Sequence, residues 1–290
     1  MLMRSSNRST VDNVLPQLIS PMEKAKVRVR RLGWAGVEID CGGETLLIDY
    51  IQDTSPLVPL KSRDEPFPSS SQKGRASVAL LTHLHADHAD PAALTIGLQK
   101  GAPVFRPASA YGSLADLTLT EYAEAKFIEY PLSTEIIGEW DQRSVGPFDV
   151  YSAPAVDGFG DPQLTWIVEC GGQRIIHAGD TLFHGFWWRI ANKFGPFDVA
   201  FLPINAPVVA FPFLQPPSTI EAVMNPEEAA LAARILKARL LVPIHYDSLH
   251  KPPIYIETMH PVKRLLDASA GLGVNATAYK VGEWFSVSGF

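Results

Sequence analysis

Cysteine is almost missing from this chain of 290 residues: Cys41 and Cys170 stand apart, each followed by Gly-Gly, and neither has a nearby thiol. That excludes a zinc ribbon or a Cys-x-x-Cys redox pair. Two isolated thiols suit a reducing compartment, so the cytoplasm is the expected location. Long apolar runs are also missing. Nothing approaches a membrane span, and the first residues, with Arg4 and Arg8, hold no apolar stretch of the signal-peptide kind. Basic excess is the third absence. Twenty-five Lys and Arg face 31 Asp and Glu, a net charge of −6 with a pI near 5.8, which argues against a nucleic-acid partner. What remains, 46% hydrophobic and 19% charged residues, is an ordinary globular composition, long enough for one large α/β domain or two small ones.

Residues 1–26 are polar, broken by Pro16 and Pro21, and read as a flexible N-terminal arm, leaving 27–290 as one domain. Strand-like stretches follow at Val27 to Leu32, Gly36 to Asp40 and Thr45 to Tyr50, the last two joined at Gly42-Gly43 as a hairpin. Ser55 to Ser77, rich in proline and serine, reads as a long loop of the kind that usually has a function. Val78 to Thr82 is a short apolar strand, and Asp90-Pro91 caps a helix that closes at Gly101. Further strands are expected at Tyr151 to Ala155, Leu164 to Val168, Arg174 to His177, Asp198 to Leu202 and Leu240 to Ile244. Asn225-Pro226-Glu227-Glu228 opens a helix with the spacing of a capping box. The hairpin sequence around Cys41-Gly42-Gly43 recurs around Cys170-Gly171-Gly172, which suggests two related β-rich halves packed face to face. The alternative is that hairpins simply look alike.

The densest chemistry lies where the apolar strand stops, at His83, His85, Asp87 and His88. In an extended segment His83 and His85 point to one side, and the turn that follows returns Asp87 and His88 toward them. Imidazole nitrogen and carboxylate oxygen are the donors that zinc, manganese and iron accept. Three more polar residues end apolar runs, where a site on strand tips would need them: Asp157, Asp180 and His245. Any one alone reads as a cap or turn residue; together with the first cluster they become ligand candidates.

The stretch Thr82 to His88, the tripeptide Gly179-Asp180-Thr181 and the late His245 resemble the metallo-β-lactamase superfamily, in order and spacing, over nearly the whole chain from Val27. The Gly33-Trp34-Ala35-Gly36 opening, Asp49 and the helix at Asn225 are similar to one branch, the ascorbate-6-phosphate lactonases and N-acylphosphatidylethanolamine phospholipase D-like enzymes. The resemblance implies an α/β fold, an αββα sandwich of two mixed β-sheets with helices on the outer faces, and two divalent metal ions at one end. By position, His83 and His85 belong to the first metal, Asp87, His88 and His245 to the second, and Asp180 bridges them. Asp49 orients a ligand imidazole from behind. The family has a histidine where this chain has Asp157. Three readings stay open: Asp157 ligates, His184 supplies the missing imidazole, or the first metal is held weakly. Zinc is the first expectation for both ions, with manganese or iron admitted by the harder oxygen of Asp157.

The expected function is that of a hydrolase in which a metal-bound hydroxide cleaves an ester, lactone or phosphodiester bond of a small, apolar-leaning substrate, with Asp87 steering the nucleophile. His184, Tyr246 and His250 are candidates to protonate the leaving group. Aromatic residues crowd the chain from Phe183 to Phe213, as a pocket wall or as core, and Arg75, Arg106 and Arg189 are isolated candidates for a phosphate. No basic insertion marks a nuclease, little chain follows His245 for a thiolesterase helical domain, and no flavin domain is present. A non-catalytic metal-binding or scaffold protein is the alternative from another class. A homo-oligomer is left open.

Overall fold

The computed structural model describes residues 25–287, so the arm expected over residues 1–26 lies outside the described residues except for its last two. Alternation of inward and outward side chains builds the architecture. Leu46, Ile48, Val78 and Leu80 point to one buried cluster, whereas their chain neighbours Leu47, Ala79 and Leu81 point to another. The same period of two separates Val199 and Phe201 from Ala200 and Leu202. A strand buried on both faces must lie between two layers, and each side chain so removed from water contributes about 1.5–3 kcal/mol.

The first sheet has seven strands, in the order Phe285–Ser286, Val27–Arg31, Val37–Cys41, Glu44–Ile48, Val78–Leu80, Pro103–Arg106 and Ser133–Ile136. The second has six: Leu240–Ile244, Val199–Pro203, Gln173–His177, Leu164–Cys170, Phe148–Pro154 and Gln142–Val145. Both mix parallel and antiparallel pairs. Their inner faces share one core, in which Val29, Ile39 and Leu80 meet Val168, Ile175 and Phe201. Helices α1 (Pro91–Gly97) and α2 (Glu121–Glu129) cover the outside of the first sheet. Helices α3 (Phe186–Phe194), α4 (Pro226–Leu236) and α5 (Pro261–Leu272) cover the second. This is the αββα sandwich.

The two hairpins that echo each other occupy equivalent places, one inside each sheet, and their cysteines meet in the core as free thiols. Asn225 caps α4 with the full reciprocal box, accepting from Glu228 N while Glu228 accepts from Asn225 N. The helix after Asp90 ends at Gly97, a turn earlier than Gly101, because Leu98 leaves helical geometry for an extended one. The strand expected through Thr82 stops at Leu80, and Thr82 is drawn into side-chain bonding instead. At this end the layers are stitched together. Leu164 N donates to the Thr82 carbonyl at 2.8 Å, Trp166 Nε1 to the Leu81 carbonyl at 2.9 Å, and His245 N to the Trp34 carbonyl at 2.9 Å. These bonds fix the strand tips of one sheet against those of the other.

Candidate metal centre

Strand tips from both sheets deliver the polar residues to one place. His83, His85, Asp87 and His88 come from the turn after Val78–Leu80, Asp157 from the end of Phe148–Pro154, Asp180 from beyond Gln173–His177, and His245 from the end of Leu240–Ile244. Gly179 lets the two layers touch here: its φ is +65°, and a Cβ would stand 2.8 Å from the Thr82 side chain. Asp49 and His245 themselves sit in the left-handed region, at φ 44° and 55°. Non-glycine residues tolerate that conformation mainly where surrounding bonds impose it, as at functional sites.

Asp180 stands among three imidazoles. Its Oδ1 is 3.1 Å from His88 Nε2, and its Oδ2 is 2.7 Å from His245 Nε2 and 4.0 Å from His83 Nε2. Asp87 Oδ2 lies 3.5 Å from His245 Nε2 and 3.6 Å from His88 Nε2. Yet His83 Nε2, His88 Nε2, His245 Nε2 and Asp180 Oδ1 are buried with no aligned hydrogen-bond partner. Buried polar atoms are rarely left so, and four converging nitrogen and oxygen donors match what a divalent cation requires. The residues present therefore fit a metal. Asp87, His88, Asp180 and His245 form one group of donors within 4.8 Å of one another, and His83, His85 and Asp87 form a second.

The opposite side of each ring is held. Asp49 Oδ2 is 2.8 Å from His88 Nδ1 and accepts from the Thr82 hydroxyl at 2.7 Å, while that hydroxyl is 3.0 Å from His83 Nδ1. Asn205 Oδ1 is 2.8 Å from His245 Nδ1, and its amide donates to the Tyr255 hydroxyl at 2.7 Å. Trp34 packs at a tilt against His245 with ring centres 3.9 Å apart and donates its Nε1 to Asp87 at 2.9 Å. Burial and the neighbouring His88 and His85 push His83 well below the ordinary histidine pKa. Burial disfavours the charged form of His88 as well, but Asp180, Asp87 and Asp49 outweigh it and hold that ring well above.

Around His85 the chemistry changes. Its Nε2 is 2.8 Å from Asp161 Oδ2, and His85, Asp157 and Asp161 form a third compact donor group. Asp157 is buried and accepts from Phe159 N at 2.7 Å; burial raises its pKa against the pull of His85. His184 is not brought here. It stacks on Trp187 with ring centres 4.4 Å apart, in the covering of the second sheet, and belongs to none of the donor groups among the described residues. Tyr246 turns away too, accepting from Arg31 Nη1 at 2.6 Å on the far side of the His245 turn. His250 is exposed. Sequence reasoning passed over Asp161, Asn205, Thr82 as a relay, and Tyr255. Asp161 had a readable signal, a second carboxylate four positions after Asp157; Asn205 and Tyr255 had none, being single polar residues in apolar surroundings.

A cavity of about 240 Å³ opens above the cluster. His85, Asp87, Asp180 and His245 form its floor, and Leu57, Leu60, Leu119, Phe159, Phe211 and Phe213 its walls. Among the described residues no lysine or arginine lines it. Leu57 and Leu60 come from the proline-rich loop, which thus has a place in the site. The aromatic stretch divides: Trp187, Phe194, Phe197 and Phe201 are core, whereas Phe211 and Phe213 face the cavity. Arg106 is spent on Glu124, and Arg189 lies over Trp140.

Residues 44–246, most of the chain, match the family described as the beta-lactamase superfamily domain. The chain belongs to that superfamily. Among relatives of this superfamily member, a UPF0173 metal-dependent hydrolase of Rubrobacter xylanophilus is 32% identical over 230 residues, 76% of this chain and 81% of the relative. Two solved structures share the fold. Igni18, a metallo hydrolase of Ignicoccus hospitalis, has a TM-score of 0.62 at 19% identity, with 90% of this chain and 98% of that one covered. The metallo-beta-lactamase fold protein YhfI of Bacillus subtilis has a TM-score of 0.61 at 15% identity, with 91% and 100% covered.

Proposed function

We propose that this superfamily member is a metal-dependent hydrolase that cleaves an ester or lactone bond of a small apolar substrate. Relatives named metal-dependent hydrolases support the reaction class. His83 and His85, with Asp157 and Asp161, would hold one cation; Asp87, His88 and His245 would hold the other; Asp180 would reach both. Imidazole suits zinc, and the carboxylates beside His85 admit manganese or iron. Divalent ions bound there lower the pKa of water and polarise a scissile carbonyl.

The chain's own groups do the rest. Asp87, the most exposed carboxylate of the central cluster and held by Trp34, orients the attacking water and takes its proton. Tyr255 lines the cavity; its hydroxyl accepts from Asn205 and keeps its proton to donate to a carbonyl or leaving oxygen. The observation that carries the bond type is the cavity wall. Leucine and phenylalanine exclude water and favour an acyl or aryl group, and a phosphodiester anion would find no cationic side chain there among the described residues. The test is turnover by the metal-loaded protein of p-nitrophenyl esters of increasing acyl length, γ-lactones and bis-p-nitrophenyl phosphate. Esters or lactones should exceed the phosphodiester by at least about tenfold in kcat/KM, a modest difference in pocket complementarity. Preference for the phosphodiester overturns the bond type. Full metal content with no turnover of any of them overturns the enzyme reading in favour of a binding protein.

A further inference from the structure

Three arginines lie on the strand Val27–Arg31, and only two have an acid. Arg28 pairs with Asp40 at 3.1 Å and Arg30 with Glu38 at 2.6 Å, each directly across the antiparallel ladder. Arg31 stands opposite Val37, and among the described residues no carboxylate lies within 4.0 Å of its guanidinium. It is nevertheless only 3% exposed. Its Nη1 donates to the Tyr246 hydroxyl at 2.6 Å and to the Tyr279 carbonyl at 3.4 Å, and its Nε is buried without a partner. Among the described residues its Nη2 makes no hydrogen bond, and it is not sealed off. A buried guanidinium carries a large desolvation cost that a counter-charge normally offsets.

The space beside Arg31 is a cavity of about 540 Å³ with Lys61, Arg63 and Lys280 also on its wall. The acids there are Glu65 and Asp247, and Asp247 is already held by Arg63 at 2.8 Å. Leu57 and Leu249 line both this cavity and the one above the metal centre, so the two are neighbours divided by apolar side chains.

We propose that this second cavity is a binding site for the phosphate or carboxylate group of a small organic anion, with Arg31 as its buried anchor. Guanidinium is a strong charge-assisted donor to an oxyanion, and here Nη2 is the nitrogen left both unused among the described residues and open. Lys61 and Lys280 supply further charge from the rim. The site is independent of the metal centre and of the reaction proposed for it.

The test titrates inorganic phosphate, and separately succinate, into the metal-loaded protein at fixed ionic strength by calorimetry. Tungstate soaked into crystals then locates the anion by anomalous scattering. Arg31→Met should weaken one binding event by about tenfold or more, the loss of charge-assisted hydrogen bonds. The double variant Lys61→Ser, Lys280→Ser alters only rim residues, so it keeps the test decisive if Arg31→Met does not fold; it should weaken the same event several-fold. A response to phosphate and not succinate, or the reverse, identifies which oxyanion is preferred and supports the site either way. Isotherms for both anions unchanged in the double variant, or tungstate found only at the histidine cluster, overturn the proposal.

Discussion

The two sides of the histidine cluster are held by different means. On the Asp180 side every imidazole is backed: His88 by Asp49, His83 by the Thr82 hydroxyl that itself leans on Asp49, and His245 by Asn205. A backing acceptor on Nδ1 fixes the tautomer and leaves Nε2 free to face a cation. On the other side His85 Nε2 lies 2.8 Å from Asp161 Oδ2, and the other members of its donor group are the carboxylates Asp157 and Asp161, carried on the turn after Val156. Rigid nitrogen donors define a site with strict geometry, whereas oxygen donors tolerate harder ions and looser coordination. The difference teaches that the imidazoles around Asp180 are each oriented from behind, whereas His85 faces carboxylates directly.

The strongest way to break this comparison is at Asp180, which stands within 4.0 Å of His83, His88 and His245. Asp180→Asn should reduce bound metal on both sides and bring hydrolysis to background, checked by elemental analysis beside turnover. Metal retained at the wild-type level would mean that the halves do not share this carboxylate.

A smaller effect separates the halves. Asp49→Asn touches no proposed ligand position but removes the anion behind His88 and Thr82, and should cost about 10–100-fold in metal affinity. Asp161→Asn should leave the tighter metal bound and shift only the weaker one, raising the ratio of zinc to manganese affinity. Competition titrations with a chromophoric chelator read both. Equal losses in the two variants would show that the carboxylate side is as preorganised as the backed side.

How much of this was legible follows from the same contrast. His83, His85, Asp87 and His88 were readable because they sit within six positions, where local geometry alone forces proximity. Asp180 and His245 were readable as polar residues closing apolar runs, since a strand tip is where a sheet offers side chains to a cleft. The sandwich was foreshadowed by the repeated hairpin, whose copies lie inside opposite sheets. Asn205 was not legible: it lies between Ile204 and Ala206 with no pattern, and only the parallel pairing of Val199–Pro203 with Leu240–Ile244 sets it beside His245. Helix α3 was also missed. Its glycine cap makes no side-chain bond, and its aromatic run suited pocket and core equally. Tyr246 misled because adjacency to His245 in sequence says nothing of direction; successive side chains near a strand end face opposite ways.

His184 gives the smallest and cleanest test, since it was a rival source of an imidazole for the His85 side. Burial against Trp187 lowers its pKa to about 4, from an ordinary value of 6.5. Below pH 6.5 the unfolded chain takes up a proton at this ring that the folded protein refuses until pH nears 4. The ring therefore costs no stability above pH 6.5 and progressively more as the pH falls toward 4, roughly 3 kcal/mol at most. His184→Phe keeps the stacking and removes the proton site. Its urea midpoint should match that of the wild type near pH 7 and exceed it at pH 4.5, with bound metal unchanged at neutral pH. Loss of metal in this variant would return His184 to the carboxylate side of the centre and leave that half backed by an imidazole after all.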